Sequence, residues 1–103
     1  MALTIQLIQQ SAARGDYELS IHADDERLAD ALTTTQMEEA LGSAELLEDY
    51  PNDPRGHSCL VLGYASGQPV HVVCGLTKQH RLYLITVYRP TIPKWKDERS
   101  RNR

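Results

Sequence analysis

Three apolar runs in the second half of the chain constrain its fold more than any other feature of the sequence. They span residues 59–64, 70–74 and 82–88 and are rich in Val, Leu, Ile and Tyr, which suit the pleated surface of a sheet. Residues 65–69 and 76–80 separate the runs and contain turn-tolerant side chains. The pattern predicts an antiparallel meander of three strands.

The first half of the chain alternates helical and extended patterns. Apolar residues at helical spacing predict a first helix over residues 3–13, which Gly15 is placed to end. Residues 17–21 alternate apolar and polar side chains and predict a short strand or extended segment. A second helix is expected to begin near residues 24–26, because acids favour a helix N-terminus. It is expected to bury a short stripe, Leu28, Ala31 and Leu32.

Two overlapping capping-box patterns precede a third helix. One begins at Thr33 and the other at Thr35, and the helix that follows is expected to end at Gly42. Its inward side chains are expected to be Met37, Ala40 and Leu41. Residues 44–50 then predict an edge strand that starts the sheet, and residues 51–56 predict a loop.

These elements predict an α+β fold, with N-terminal helices packed on a four- to five-stranded, mainly antiparallel sheet. A length of 103 residues and an apolar content of 41% suit one hydrophobic core. We therefore expect a single domain over residues 1–95. Residues 96–103 are mostly charged or polar and are expected to form a disordered tail.

Composition also bears on location and on the cysteines. No run approaches the ~20 apolar residues of a membrane span, and the N-terminus lacks a signal-peptide pattern, so a cytoplasmic protein without membrane contact is expected. Cys59 and Cys74 are too few for a disulfide framework. Buried reduced thiols are expected, with a bridge between adjacent strands as the alternative.

Four residues of the sheet region have the side-chain types of a zinc site: His57, Cys59, His71 and Cys74. His57 and Cys59 can share a strand face, but a three-residue spacing puts His71 and Cys74 on opposite faces. A structural role is therefore expected for all four, and no metal or other cofactor is expected.

Charge is divided unevenly along the chain, whose net charge is −3. Residues 16–53 carry twelve acids and one base, Arg27, whereas residues 54–103 carry nine bases and two acids. A polyanion would therefore contact the C-terminal half. The alternative is a solvated acidic surface and a charged tail, and the overall acidity argues against tight nucleic-acid binding by the free chain.

Six further residues have the chemistry of phosphoryl-ester cleavage. They supply an imidazole, hydroxyls and guanidiniums: His22, Thr86, Tyr88, Arg27, Arg81 and Arg89. In metal-free RNA cleavage a base removes the 2′-hydroxyl proton, an acid protonates the leaving oxygen, and cations stabilise the transition state. Structural alternatives exist, because His22 can start a helix, Arg27 can pair with helix acids, and Tyr88 can fill a strand end. Arg81 and Tyr88 have opposite strand parity and converge only if Arg81 reaches around from the turn.

Several short motifs follow one another in a set order between residues 17 and 95. They include Ser20-Ile21-His22-Ala23 with Arg27, then Thr86-Val87-Tyr88 after the meander, and finally Trp95. In this order they resemble a bacterial family, domain of unknown function 4258 (DUF4258). That family is similar to the RelE/ParE and BrnT toxins, small α+β proteins of type II toxin–antitoxin pairs that include messenger-RNA endonucleases. The resemblance implies such a fold and such an activity.

The resemblance also implies roles for particular residues. His22 or Tyr88 would transfer protons, Arg27 and Arg81 would stabilise the phosphate, and Thr86 would complete the catalytic set. RNA contacts are expected at Arg89, Lys94 and Lys96.

The implied partners are an antitoxin protein and RNA or the ribosome. The alternative is a non-catalytic protein-interaction module that keeps the toxin scaffold and binds another protein or a second copy of itself.

Overall fold

Three helices flank a five-stranded sheet. The computed structural model describes residues 3–91, 95 and 97–100. The elements in chain order are α1 (Ile5–Ala13), β1 (Tyr17–Leu19), α2 (Ile21–Ala29), α3 (Thr34–Gly42), β2 (Glu45–Tyr50), β3 (Ser58–Ala65), β4 (Gln68–Leu76) and β5 (Leu82–Tyr88). The strands lie in the order β1-β5-β4-β3-β2, so the chain returns from β1 at one edge to β2 at the other. The α+β class and the mainly antiparallel sheet are confirmed, since only β1 pairs in parallel, with β5.

The predicted meander is confirmed as β3, β4 and β5. A two-residue turn joins β3 to β4, and both of its residues, Ser66 and Gly67, have positive φ, of 51° and 77°. Positive φ at both positions is the conformation of a type I′ turn, whose twist matches that of the paired strands. The sequence therefore sets the register of this hairpin locally.

The start of α2 differs from the prediction. The strand ends at Leu19, and α2 begins at Ile21 rather than near the acids at residues 24–26. Ser20 is the N-cap, and its hydroxyl accepts a hydrogen bond from the Ala23 N–H at 2.9 Å. A serine cap satisfies one of the free N–H groups of the first turn, so the helix starts as soon as the strand ends.

The buried stripe predicted for α2 is also wrong in part. Leu28 is 60% exposed and Ala31 is exposed with φ of 56°, whereas Leu32 is buried as predicted. In α2 the fully buried residue is Ala23. Polar side chains bond this helix to β5, and its two large apolar side chains, Ile21 and Leu28, are exposed.

The core lies between the helices and one face of the sheet, here called the covered face. Helix α3 begins with the predicted capping box at Thr33 and carries the predicted inward side chains, Met37, Ala40 and Leu41. A Cβ at Gly63 of β3 would overlap the Ala40 carbonyl group, so this glycine permits the close approach of α3. The opposite face, here called the outer face, carries Leu60, Leu62 and His71, and Trp95 packs there against His71.

The two cysteines lie on the covered face, as opposite partners of β3 and β4. Both thiols are free and buried, as predicted. The hydrogen bond that Cys74 donates to Cys59, together with burial, holds the pKa of the Cys74 thiol well above its ordinary value. A buried thiol of raised pKa is a poor nucleophile, which supports a packing role.

No helix among the described residues combines the length and the apolar character needed to cross a membrane.

Candidate active site

Helix α2 lies along the part of β5 that extends beyond the short strand β1. Three side chains, from its two cap residues and from Glu26 within the helix, replace the missing strand as hydrogen-bond partners. The Ser20 hydroxyl donates to the Ile85 carbonyl at 2.8 Å, Glu26 accepts from Val87 N–H at 3.1 Å, and Asp30 accepts from Arg89 N–H at 2.8 Å. Covering an edge with a helix prevents pairing with another strand. It also fixes α2 beside the end of β5.

A bulge in β5 determines which side chains reach the outer face near this edge. Val73 pairs with Thr86 but Cys74 pairs with Leu84, so Ile85 is an extra residue. A bulge of this kind shifts the inward and outward alternation by one residue. Leu84 and Val87 therefore both join the core on the covered face, and Thr86 and Tyr88 lie on the outer face.

An open cleft of about 550 Å³ lies between α2 and the end of β5. From α2, its residues recur at helical spacing on one side of the helix. The lining residues are His22, Glu26, Ala29, Asp30, Thr86, Tyr88, Arg89, Thr91 and Trp95. The cleft thus brings together four of the residues that the sequence indicated, His22, Thr86, Tyr88 and Arg89.

His22 supplies an exposed imidazole at the cleft. Its side chain is 68% exposed, and Nε2 lies 3.3 Å from Oε1 of Glu26, four residues later on α2. The same Glu26 oxygen accepts the Val87 backbone N–H, so the carboxylate is fixed to the sheet. A fixed carboxylate orients the imidazole at the cleft, and an oriented imidazole suits an acid or base in proton transfer.

Tyr88 is held by a histidine that the sequence analysis assigned to structure. His71 is fully buried on β4, directly opposite Tyr88 in the register. Its Nδ1 lies 3.1 Å from the Tyr88 hydroxyl oxygen, and the two rings meet edge to face with centroids 5.2 Å apart. Trp95 packs on the same imidazole, with centroids 4.4 Å apart. The Tyr88 phenol at the cleft therefore packs against His71, and His71 packs against Trp95.

Arg89 places a guanidinium at the cleft. Its backbone N–H donates a hydrogen bond to the carboxylate of Asp30, and its Nε donates one to the backbone carbonyl oxygen of Asp30 at 3.4 Å. Within the described part of the chain, no carboxylate lies within ion-pair distance of this guanidinium. Its charge is therefore available to an anion in the cleft.

The other two predicted arginines lie elsewhere. Arg27 belongs to α2 and its side chain is largely buried. It pairs with Asp24 at 2.7 Å and donates a hydrogen bond to the Leu32 carbonyl at 3.0 Å. Arg81 precedes β5 at its opposite end and pairs with Asp16 at 2.8 Å and Glu18 at 3.4 Å. The hydrogen bond to Asp16 raises the pKa of Arg81. Neither side chain lines the cleft.

Sequence reasoning missed several residues of the site. Glu26 carries a signal that was available, because it follows His22 by four residues on one helix. His71 and Trp95 carried none. The contact of His71 with Tyr88 depends on strand register, and the contact of Trp95 with His71 depends on the path of the chain after β5. Lys94 and Lys96, expected to contact RNA, lie outside the described residues.

The four zinc-type residues do not converge. Cys59 and Cys74 pack on the covered face, whereas His71 lies on the outer face and His57 pairs with Asp49 at 2.5 Å. Among residues 3–91, 95 and 97–100, no three His, Cys, Asp or Glu side chains are grouped as a metal site.

Comparison with known proteins gives a family. No curated protein and no solved structure matched the chain. The family model described as Domain of unknown function (DUF4258) matches residues 19–89, which is more than half of the chain. The match runs from the end of β1 through β5 to Arg89 and so includes both walls of the cleft. Its extent confirms the predicted membership: the chain belongs to the DUF4258 family.

Proposed function

We propose that this protein is a toxin-like endoribonuclease that acts on messenger RNA and needs no metal for the chemical step. The observation that carries the proposal is the convergence of His22, Tyr88 and Arg89 on one open cleft. These side chains supply an imidazole, a phenol and a guanidinium that has no carboxylate within ion-pair distance in the described part of the chain. Together they match what a phosphodiester needs during attack by its own 2′-hydroxyl.

Each group has a task in the proposed reaction. His22 and Tyr88 transfer the protons of the attacking and leaving oxygens, and Arg89 binds the phosphate as its charge increases. Thr86 adds a hydroxyl to the lining of the cleft. The phosphate role that the sequence analysis gave to Arg27 and Arg81 passes to Arg89, because Arg89 lines the cleft and the other two do not.

The proposal includes a RelE- or BrnT-like arrangement and an antitoxin partner that covers the cleft. RNA affinity would come from Arg89 with Lys94 and Lys96 in the basic C-terminal half. Glu26 and Asp30 line the α2 side of the cleft, and their negative charges would repel RNA. This favours an RNA substrate that enters along β5.

The test is RNA cleavage by the purified chain, with total RNA and with translating ribosomes. His22→Ala, Tyr88→Phe and Arg89→Ala should each reduce cleavage by about 10²-fold or more while leaving the fold intact. Matched controls outside the cleft are His80→Ala, Tyr83→Phe and Arg81→Ala, which should retain cleavage within a few-fold. Intact RNA in every condition, with a folded chain, would refute the nuclease.

A second candidate function is a non-catalytic interaction module, favoured by the outer side of α2. Ile21 and Leu28, seven residues apart on this helix, are 84% and 60% exposed. Exposed apolar side chains grouped on a helix mark a surface for a partner. This candidate predicts no RNA cleavage, normal growth of cells that express the chain alone, and a homodimer or complex that Ile21→Ser with Leu28→Ser disrupts. Growth arrest on expression alone favours the nuclease instead.

A further inference from the structure

Cys59 and Cys74 are a pair of thiols that the proposed cleavage of RNA does not use. The two residues are direct partners across β3 and β4, and theirs is the pair of the register that lies farthest from the Ser66-Gly67 turn. Both thiols are free and buried on the covered face. Two sulfur atoms are therefore held side by side at the open end of this hairpin.

The register gives the pair the spacing of a disulfide. Directly opposite residues of antiparallel strands have Cα atoms about 4.5 to 5.5 Å apart, and their side chains leave the sheet on the same face. Most protein disulfides join Cα atoms that are roughly 4.4 to 6.8 Å apart. A bond between the sulfur atoms of Cys59 and Cys74 therefore needs rotation of the side chains rather than a shift of either strand.

The two thiols differ in reactivity. The hydrogen bond from the Cys74 thiol lowers the pKa of Cys59, because it stabilises a negative charge on the Cys59 sulfur. The thiolate is the nucleophilic form of cysteine, so Cys59 is the thiol that attacks first. Cys74 keeps its proton, since the same hydrogen bond and burial raise its pKa. The pair thus has one attacking thiol and one neighbour that can close a bridge.

The position of the pair at the end of the hairpin gives a small molecule a route to it. The ends of strands open locally at a lower free energy than the whole fold. On one side, the bulge at Ile85 interrupts the pairing of β4 with β5 next to Cys74. On the other side, Cys59 pairs with Asp49 of the edge strand β2. Local opening at this end therefore exposes the thiols without unfolding of the sheet.

From this arrangement we propose that Cys59 and Cys74 are a reversible oxidation site, which a small hydroperoxide converts, in the folded protein, to a disulfide between β3 and β4. Hydrogen peroxide is the simplest oxidant of this class. The inference is independent of the proposed nuclease function, and none of its tests involves RNA.

Atoms and electrons balance in two steps. The Cys59 thiolate attacks one oxygen of hydrogen peroxide, the O–O bond breaks, and the leaving hydroxide takes up the proton that Cys59 gave up. Cys59 is then a sulfenic acid. The Cys74 sulfur bonds to the Cys59 sulfur, the S–O bond breaks, and the Cys74 proton joins the leaving hydroxyl as a second water. The thiols lose two electrons, the peroxide gains them, and a dithiol reductant reverses the change.

The first test uses the unmodified chain. Trypsin cleaves after Arg55 and Lys78 and at no residue between them, so one fragment, residues 56–78, carries both cysteines and no methionine. The folded protein is treated with hydrogen peroxide, quenched, denatured, alkylated and digested. We expect the fragment to lose the mass of two hydrogen atoms and to accept no alkyl group until a dithiol reductant is added. A fragment that stays fully alkylatable, or that gains oxygen instead, would overturn the inference.

The second test shows whether the folded state is the one that reacts. The rate of bridging is measured at urea concentrations below the unfolding transition. Local opening exposes little surface, so we expect the rate to change little with urea. A rate that rises with the full urea dependence of global unfolding would contradict a site that works in the folded protein.

Matched serine variants test the order of reaction. Cys74→Ser keeps a hydrogen-bond donor to Cys59 but has no sulfur, so we expect Cys59 to gain oxygen under peroxide instead of closing a bridge. Cys59→Ser keeps an acceptor for the Cys74 thiol, and we expect Cys74 to remain alkylatable because its pKa is raised. The reverse pattern would show that Cys59 is not the attacking thiol. If a variant fails to fold, the two tests on the unmodified chain still decide the proposal.

Discussion

At the scale of single residues, polar side chains are held by partners from distant parts of the chain. The Tyr17 hydroxyl donates to the Glu38 carboxylate at 2.5 Å and joins β1 to α3. Burial, with the hydrogen bond to Glu38, raises the pKa of Tyr17 to about 12. This shift couples the stability of the fold to alkaline pH.

We expect this contribution to stability to be lost between pH 10 and pH 12. The pKa of Tyr17 is raised from its ordinary value of 10.0 to about 12, so the neutral phenol is favoured in the folded protein. The contribution is therefore complete below pH 10 and decreases as pH rises towards 12. An ultraviolet titration should show one tyrosine that ionises at a higher pH than a free tyrosine. This late ionisation step should be absent in Tyr17→Phe.

Glu38→Gln is the matched control for the cause of the shift. It keeps a hydrogen-bond acceptor but removes the negative charge, so the pKa of Tyr17 should fall towards its ordinary value. If Tyr17→Phe instead removes a tyrosine that ionises at the ordinary pH, the assignment of the late step to Tyr17 is contradicted.

At the scale of elements, the site depends on a helix that takes the place of a strand. Helix α2 covers the end of β5 through Ser20, Glu26 and Asp30, and the same helix presents His22. A polar edge contact orients a helix with little apolar burial, which explains why Ile21 and Leu28 remain exposed. The geometry of the cleft therefore depends on a few specific hydrogen bonds.

We expect Asp30→Ala to lower the free energy of unfolding by about 1 kcal/mol. It removes the acceptor of a partly buried backbone N–H, that of Arg89, and leaves this donor without its partner. Asp30→Asn keeps an acceptor and should retain most of the stability. Asp25→Ala, on the exposed side of the same helix, should change stability by no more than ~0.5 kcal/mol. Urea unfolding measures all three, and equal effects of Asp30→Ala and Asp25→Ala would contradict the edge contact.

At the scale of the whole molecule, the two faces of the sheet are covered by different parts of the chain. Helices α1 and α3 pack on the covered face, whereas Trp95 and residues 97–100 reach the outer face. Trp95 is 2% exposed, so the C-terminal segment contributes a large apolar side chain to the fold. Unfolding should therefore involve both faces in one transition.

The single tryptophan of the chain provides the measurement. We expect its fluorescence and the far-ultraviolet circular dichroism to change at the same urea concentration. The reason is that Trp95 is buried against the outer face of the sheet, so it should become exposed when the sheet unfolds. Trp95→Ala should lower the free energy of unfolding by about 3–5 kcal/mol. A fluorescence transition well before the loss of secondary structure would show that this segment detaches independently.

The elements of the fold were largely predictable because their signals are local. Periodicity located three helices and the meander, and the capping box placed the start of α3. The family was also predictable from motif order, and the family match over residues 19–89 confirms it. His22, Thr86, Tyr88 and Arg89 were chosen by chemistry alone, and they share one cleft.

Tertiary structure alone decided how these parts combine. The periodicity of a sequence indicates which side of a helix or strand is buried, but it does not indicate which strands are neighbours in the sheet. The parallel pairing of β1 with β5 placed α2 at the sheet edge, and the bulge at Ile85 reversed the facing of Thr86 and Tyr88. Strand register brought His71 to Tyr88, and the length of β5 separated Arg81 from both. Such contacts join residues far apart in sequence, so they arise only when the sheet has formed.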